Sequence, residues 1–288
     1  VVAVKMLRPG RAGETQRDAF LAEAVVTGDL DHPNIVPVHD LGGNQTGALF
    51  YSMKRVVGTP WSRVIRRKSL PENLEILHKV CDAIAFAHSR NVVHRDLKPE
   101  NVMLGDFGEV LVMDWGIALA STLSIHTGRA ASSSSMGGTP AYMAPEMATG
   151  PIEKIGPRSD VYLLGGILFE ILTGKTPHAA KTVMDCLLAA AENVLQPTDV
   201  SSELLQTAYR ALATDPADRF ESVQAFQAAV RQYQSHSESL AMAARAEEEL
   251  EAAQETDDYQ RYSHAVFGFQ ESLNLWDANR DAATGLSR

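Results

Sequence analysis

Apolar residues along this chain recur at two periods, and the period changes at polar breaks. Residues 1–7 form a β-branched run closed by the turn signal Arg8-Pro9-Gly10, which predicts a strand. Over residues 15–30 the spacing becomes helical: Phe20, Leu21, Ala24 and Val25, with Gly28, form one stripe. Residues 48–57 return to a strand pattern. Residues 73–90 predict a long helix that turns Leu74, Leu77, Val80, Cys81, Ile84 and Ala85 toward a core.

Two short apolar runs then bracket a polar loop. Val92-Val93 precedes His94-Arg95-Asp96-Leu97-Lys98-Pro99-Glu100-Asn101, and Val102-Met103-Leu104 follows it. Each flank predicts a short strand. Gly105-Asp106-Phe107-Gly108 reads as a hairpin turn into a further run, Val110-Leu111-Val112-Met113. Residues 120–138 are poor in apolar positions and hold Ser124, Thr127 and Ser132-Ser133-Ser134-Ser135, which predicts a flexible loop. Helices are predicted over 159–172, with Ser159 as N-cap, and over 180–194, 201–213 and 222–233, with Pro197 and Pro216 as separators. From Ser237 the pattern changes: Leu240, Ala243, Ala246, Leu250 and Ala253 form a heptad-like stripe over glutamate-rich faces.

Composition narrows the class. With 288 residues, 45% of them hydrophobic, the chain can bury one large core or two smaller ones. No apolar run reaches the roughly 18 residues of a membrane-spanning helix. No signal-peptide pattern opens the chain, so a cytoplasmic setting is expected. The first residue is Val, so the chain is expected to begin inside a longer protein. A net charge of −10 argues against nucleic acid as a partner. Residues 234–288 hold 11 Asp+Glu against 4 Arg, a net of −7, which marks a boundary near residue 234. Cys81 and Cys186 read as buried free thiols, and no Cys/His cluster has zinc spacing.

Candidate chemistry concentrates in the polar loop. It carries an acid (Asp96), a base (Lys98) and an amide (Asn101) between two buried strands, where catalytic groups tend to sit. Glu23 falls on the buried stripe of its helix, and an unpaired buried carboxylate is costly. Lys5 is the candidate partner, although a lysine in an apolar strand more often faces outward.

The residues from His94 to Asn101 resemble the catalytic loop of the protein kinases. Val2-Ala3-Val4-Lys5 resembles the kinase third-strand motif, whose lysine contacts the ATP phosphates, and Glu23 matches the glutamate of the ion pair that orders kinase sites. Thr27, one turn on, is polar where many kinases have an apolar residue. His32-Pro33-Asn34-Ile35-Val36 resembles the turn into the fourth strand. Met53-Lys54-Arg55-Val56 looks like the hinge between lobes. Gly138-Thr139-Pro140-Ala141-Tyr142-Met143-Ala144-Pro145-Glu146 resembles the end of an activation segment. The chain is similar to the eukaryotic-like Ser/Thr kinases of bacteria.

That resemblance implies an α+β, two-lobed fold. Residues 1–57 would be a small strand-rich lobe starting at the family's third strand, 58–233 a large helical lobe, and 234–288 a helical tail. It implies ATP and Mg2+ as cofactors. Asp96 would accept the substrate hydroxyl proton, Lys98 would neutralise the transferring group, and Asn101 with Asp114 would hold the metal. Lys5, Glu23, Met53, the backbone of Lys54 and Val56, and Met103 would form the ATP site. Arg95, Thr139, Glu146 and Arg219 would order the activation segment, with Glu146 paired to Arg219 and Thr139 bridging Asp96 and Lys98. Asp160 would bond the catalytic-loop backbone.

Asp106-Phe107-Gly108 is a literal copy of the metal motif, but it lies in the hairpin turn. Asp114-Trp115-Gly116, thirteen residues beyond Asn101, has the family spacing and is the assigned ligand. Lys98 favours a serine or threonine acceptor on a protein substrate, and residues 120–138 invite autophosphorylation with self-association. The family's Gly-rich hairpin would precede Val1, so this chain is expected to bind ATP poorly and phosphorylate slowly. Ala265, Phe269, Ser272, Leu273, Leu275, Asn279 and Ala282 resemble part of a tetratricopeptide repeat, and a plain capping hairpin is an equal alternative. Two rival readings remain: a pseudokinase scaffold, and an interaction protein acting through its tail.

Overall fold

The computed structural model describes residues 1–7, 14–44, 48–116, 119–120, 139–150 and 152–288. The chain divides into two compact units, Val1–Gln227 and Ala228–Arg288. The first has a small strand-rich lobe and a larger helical one.

The small lobe is a sheet of order β1-β3-β2, from Val2–Met6, Leu49–Lys54 and Val38–Gly43. Helix α1 (Glu14–Gly28) packs on one face through Phe20 and Ala24, which meet Tyr51, Leu49 and Met53 of β3. The buried stripe departs from the expected one in its second half: Val25 and Gly28 are exposed and Val26 and Thr27 are buried, while Glu23 is buried as expected. Thr27 satisfies its hydroxyl by donating to the Glu23 carbonyl at 2.7 Å, so a polar residue is tolerated there. The face bearing Val2, Val4 and Met6 is exposed.

Residues 34–36 tie this lobe to the helical one. Ile35 bridges Val112, the Val112 amide donates to the Asn34 carbonyl, and the Asn34 side-chain amide donates to the Val110 carbonyl at 2.9 Å. A second sheet, order β4-β6-β7, contains Gly58–Pro60, Val102–Gly105 and Val110–Val112. Strand β5 (Val92–Val93) pairs with β8 (Leu119–Ala120).

Helix α2 (Leu70–Ser89) starts three residues before the expected residue 73. Ser69 and Glu72 form a reciprocal capping box, with Pro71 inside the first turn. Helix α4 (Pro157–Thr173) is buried on almost every side and stops at Gly174, whose φ of 68° is the left-handed closing turn. Its N-cap is Gly156, not Ser159. Ser159 lies within the first turn, accepts the Gly156 amide and donates to Glu146, because the carboxylate inside the core needs that donor. Between them sits the short helix α3 (Pro145–Thr149). Helices α5 (Val183–Ala191) and α6 (Glu203–Ala211) are shorter than the sequence suggests, each starting at a side-chain cap, Thr182 and Ser202.

Helix α7 runs without a break from Val223 to Thr256, well past the expected end near residue 233. The stretch contains no Gly or Pro, so nothing in it stops a helix, and the charge boundary falls mid-helix. In the second unit α7 is joined by α8 (Tyr259–Leu275) and α9 (Arg280–Leu286) around Ala243, Ala246, Leu250, Ala265, Phe269 and Ala282. Leu240 of the expected stripe is exposed instead. Ser239, Ser272 and Asn279 form a buried polar node: the Asn279 amide donates to both hydroxyls, at 2.9 and 3.0 Å. Gly285 is required beside this core, since a Cβ there would lie 2.2 Å from the Phe269 ring. Among the described residues no helix is long and apolar enough to cross a membrane.

Candidate active site

The small-lobe half of the site follows from strand register. Lys5 sits on β1 with its side chain on the α1 face, and Glu23 comes from the buried stripe of α1. Lys5 Nζ donates to Glu23 Oε1 at 2.5 Å and lies 3.6 Å from Asp114 Oδ1. Glu23 is buried, whereas the Lys5 side chain is 40% exposed. Tyr51, which the sequence did not single out, donates its hydroxyl to the same Glu23 oxygen at 2.8 Å. Burial, reinforced by Glu23, pushes its phenol pKa upward.

The polar loop forms the other half. Asp96 Oδ2 accepts the Lys98 ammonium at 2.9 Å and the Asn101 amide at 3.1 Å. The Thr139 hydroxyl donates to Asp96 Oδ1 at 3.2 Å and accepts from Lys98 at 2.5 Å. A short 3-10 turn, Pro99–Asn101, folds Asn101 back so that its amide also reaches the Asp96 carbonyl at 2.8 Å. Three side chains therefore converge on one carboxylate that is itself only 16% exposed.

Asp160 of α4 fixes the loop backbone. It is fully buried, and its two oxygens accept the His94 and Arg95 amides, each at 2.8 Å. These bonds hold Arg95 at a φ of 72°, a conformation that costs free energy in a residue with a side chain. His88, from the end of α2, places Nε2 at 2.8 Å from Asp160 Oδ2. Burial opposes the Asp160 charge, but its hydrogen bond to His88 and that residue's charge outweigh it and hold the carboxyl below its usual range. Burial drives the His94 imidazole down, so it stays neutral. Its Nε2 faces the Met113 carbonyl at 3.2 Å, and its ring packs on the buried Trp115, centroids 4.6 Å apart.

Strands β6 and β7 return the chain to this loop. Val102 is opposite Val112, and the Met113 amide donates to the Asn101 carbonyl at 2.7 Å. Asp114 therefore emerges next to Asn101, with φ at 59° and a side chain 55% exposed. Asp106 lies at the far end of the same hairpin with Phe107, which is 97% exposed. Gly108, at φ 77°, makes that turn.

Glu146 and Arg219 meet in the interior as a bidentate pair, both bonds 2.8 Å, with Ser159 donating to Glu146 at 2.7 Å. Arg219 also donates to the carbonyls of Ala213, Arg158 and Thr214 and lies over the Tyr162 ring. Burial works against the Glu146 charge, and Arg219 overcomes it, holding the carboxyl below its usual value. Arg95 is buried and its guanidinium pKa is lowered by burial. The phosphoacceptor candidates in residues 121–138 lie outside the described residues.

The hinge residues are placed unevenly. Met53 is half-buried against the α1 cluster, and Met103 is half-buried opposite Pro60. Val56 is half-buried just after β3. The Lys54 amide is not free for a base, because it donates to the Pro37 carbonyl at 3.0 Å. Its ammonium pairs instead with Glu109 at 2.6 Å, a contact no local pattern announces.

The family described as protein kinase domain matches residues 1–231. Relatives include the serine/threonine-protein kinase PknD of Chlamydia trachomatis serovar D, 33% identical over 270 residues, covering 81% of this chain. That of Chlamydia abortus is 34% identical over 263 residues, again 81% of this chain, and that of Chlamydia felis 31% over 263. The chain spans 28% of the length of these relatives. Two lobes with the Asp96 loop and the returning hairpin between them agree with that match, and the chain belongs to the protein kinase domain family.

Proposed function

We propose that this chain is the catalytic part of an ATP-dependent protein serine/threonine kinase. The observation that carries the reading is the convergence of Lys98, Asn101 and Thr139 on the Asp96 carboxylate. Phosphoryl transfer asks the protein mainly for positioning and charge neutralisation. Asp96 accepts the proton of a substrate Ser or Thr hydroxyl, whose oxygen bonds the γ-phosphorus as the β–γ bridging P–O bond breaks and ADP departs. A carboxylate is a weak base toward an alcohol, so Asp96 chiefly orients that hydroxyl until late in the reaction. Lys5 anchors the phosphates, and Lys98 neutralises the transferring group.

The donors suit Mg2+. Asn101 commits its amide nitrogen to Asp96, which leaves Oδ1 as its ligating atom, and Asp114 is accessible. Amide and carboxylate oxygens favour a hard cation, which when bound neutralises phosphate charge. Met53, Val56, Met103 and the Lys54 carbonyl receive the base. Regulation follows from phosphorylation within residues 120–138 by a second copy, with Arg95 pairing the new charge. In this reading the helical unit Ala228–Arg288 is part of a repeat array and serves as an interaction module.

The test is Asp96→Asn, assayed for phosphate transfer to a protein acceptor and for Mg-ATP binding. Turnover should fall by about 10²–10⁴ while ATP affinity holds within about threefold. Full turnover in the variant would defeat the mechanism.

A further inference from the structure

We infer that Tyr51 is a positioning residue for the Lys5–Glu23 pair and, through it, for ATP binding; this rests on the reading of Lys5 as phosphate anchor. Lys5 and Tyr51 are directly opposite each other in the antiparallel β1–β3 pairing, so both side chains leave the sheet on one face. Helix α1 packs on that face and delivers Glu23 to both. One oxygen, Glu23 Oε1, accepts the ammonium at 2.5 Å and the phenol at 2.8 Å. Lys5 Nζ also lies 5.8 Å from the Tyr51 ring centroid, within reach of a cation–π attraction.

The two donors differ in what they can hold. Lys5 is a half-exposed charge on a flexible stem, and Asp114 competes for it at 3.6 Å. Tyr51 belongs to the central strand of its sheet, is 4% exposed, and packs its ring 5.2 Å from Phe20. Its hydroxyl cannot leave Glu23 without unpacking α1 from the sheet. When Lys5 turns toward a phosphate, Glu23 therefore keeps a donor, and its buried charge is not left alone. The phenol fixes the carboxylate, and the carboxylate aims the lysine.

The experiment is Tyr51→Phe, which removes one oxygen and keeps the ring. Steady-state kinetics on the full-length protein should show KM for ATP raised about three- to tenfold, with KM for the protein acceptor unchanged. Tyr51→Phe combined with Glu23→Gln should be no worse than Glu23→Gln alone. Phe20→Leu loosens the same cluster with the hydroxyl intact and gives the structural control. If it raises KM for ATP as much as Tyr51→Phe at an equal loss of Tm, or if the double variant is additive, the inference falls. Lys5→Met separates the two levels: ATP kinetics unchanged in Lys5→Met would remove the phosphate-anchor reading itself. A loss there with none in Tyr51→Phe would remove only the inference.

Discussion

The Asn101 carbonyl accepts the Met113 amide at 2.7 Å, and this one bond decides which of two aspartates stands beside the catalytic loop. The β6–β7 hairpin must run its full length before the chain returns. Asp106 is at the distant turn, and Asp114 is the next residue after Met113.

That geometry predicts opposite outcomes for two similar substitutions. If Asp114 ligates the metal as proposed, Asp114→Asn should lower phosphate transfer by at least about 100-fold, because a carboxylate ligand to the cation is lost. Asp106→Asn should leave turnover within about twofold, since exposed turn residues away from the site have small effects. Mg2+ titration of activity in both variants checks it; a stronger Mg2+ requirement in Asp106→Asn would reverse the assignment.

The buried pair Glu146–Arg219 predicts a stability effect. Arg219→Ala strands a carboxylate that is 4% exposed and should destabilise the first unit by about 3–5 kcal/mol. Urea unfolding followed by circular dichroism measures this. A change under about 1 kcal/mol would show that water reaches Glu146.

Acid should unfold the protein in two stages. His94 and His178 have imidazole pKa values lowered by burial. The unfolded chain therefore binds protons first, and their contribution, complete above the ordinary value near about 6.5, is lost as pH falls below it. Glu146 and Asp160 are held below their usual values. They stabilise the fold above about pH 4.5, and that contribution is lost as pH falls through their depressed values. Tm measured from pH 8 to 3 should drop first below pH 6.5 and more steeply below pH 4.5. A flat profile from 6.5 down to 5 would mean that His94 and His178 are protonated without cost.

Local pattern carried much of the architecture. The strand that carries Lys5, the helix before His94 and the loop from His94 to Asn101 could be placed because period and turn chemistry act over a few residues. Their ends moved where a side chain overrode the pattern. Ser69 and Glu72 start α2 early, and the absence of any breaker carries α7 through the charge boundary. Spacing also separated Asp106 from Asp114, because a hairpin has a fixed return length.

What the sequence determined by itself was the set of candidate groups and the segments that bear them. Only the tertiary structure decided how those groups are held. Tyr51 joins Glu23 because strand register sets it opposite Lys5, and Lys54 loses its amide to Pro37 because β3 is flanked there. His88 reaches Asp160 across 72 residues, and Arg95 is held at a left-handed φ by that same carboxylate. Such partners lie far apart in sequence and leave no periodic trace, since contact across elements depends on packing and not on spacing along the chain.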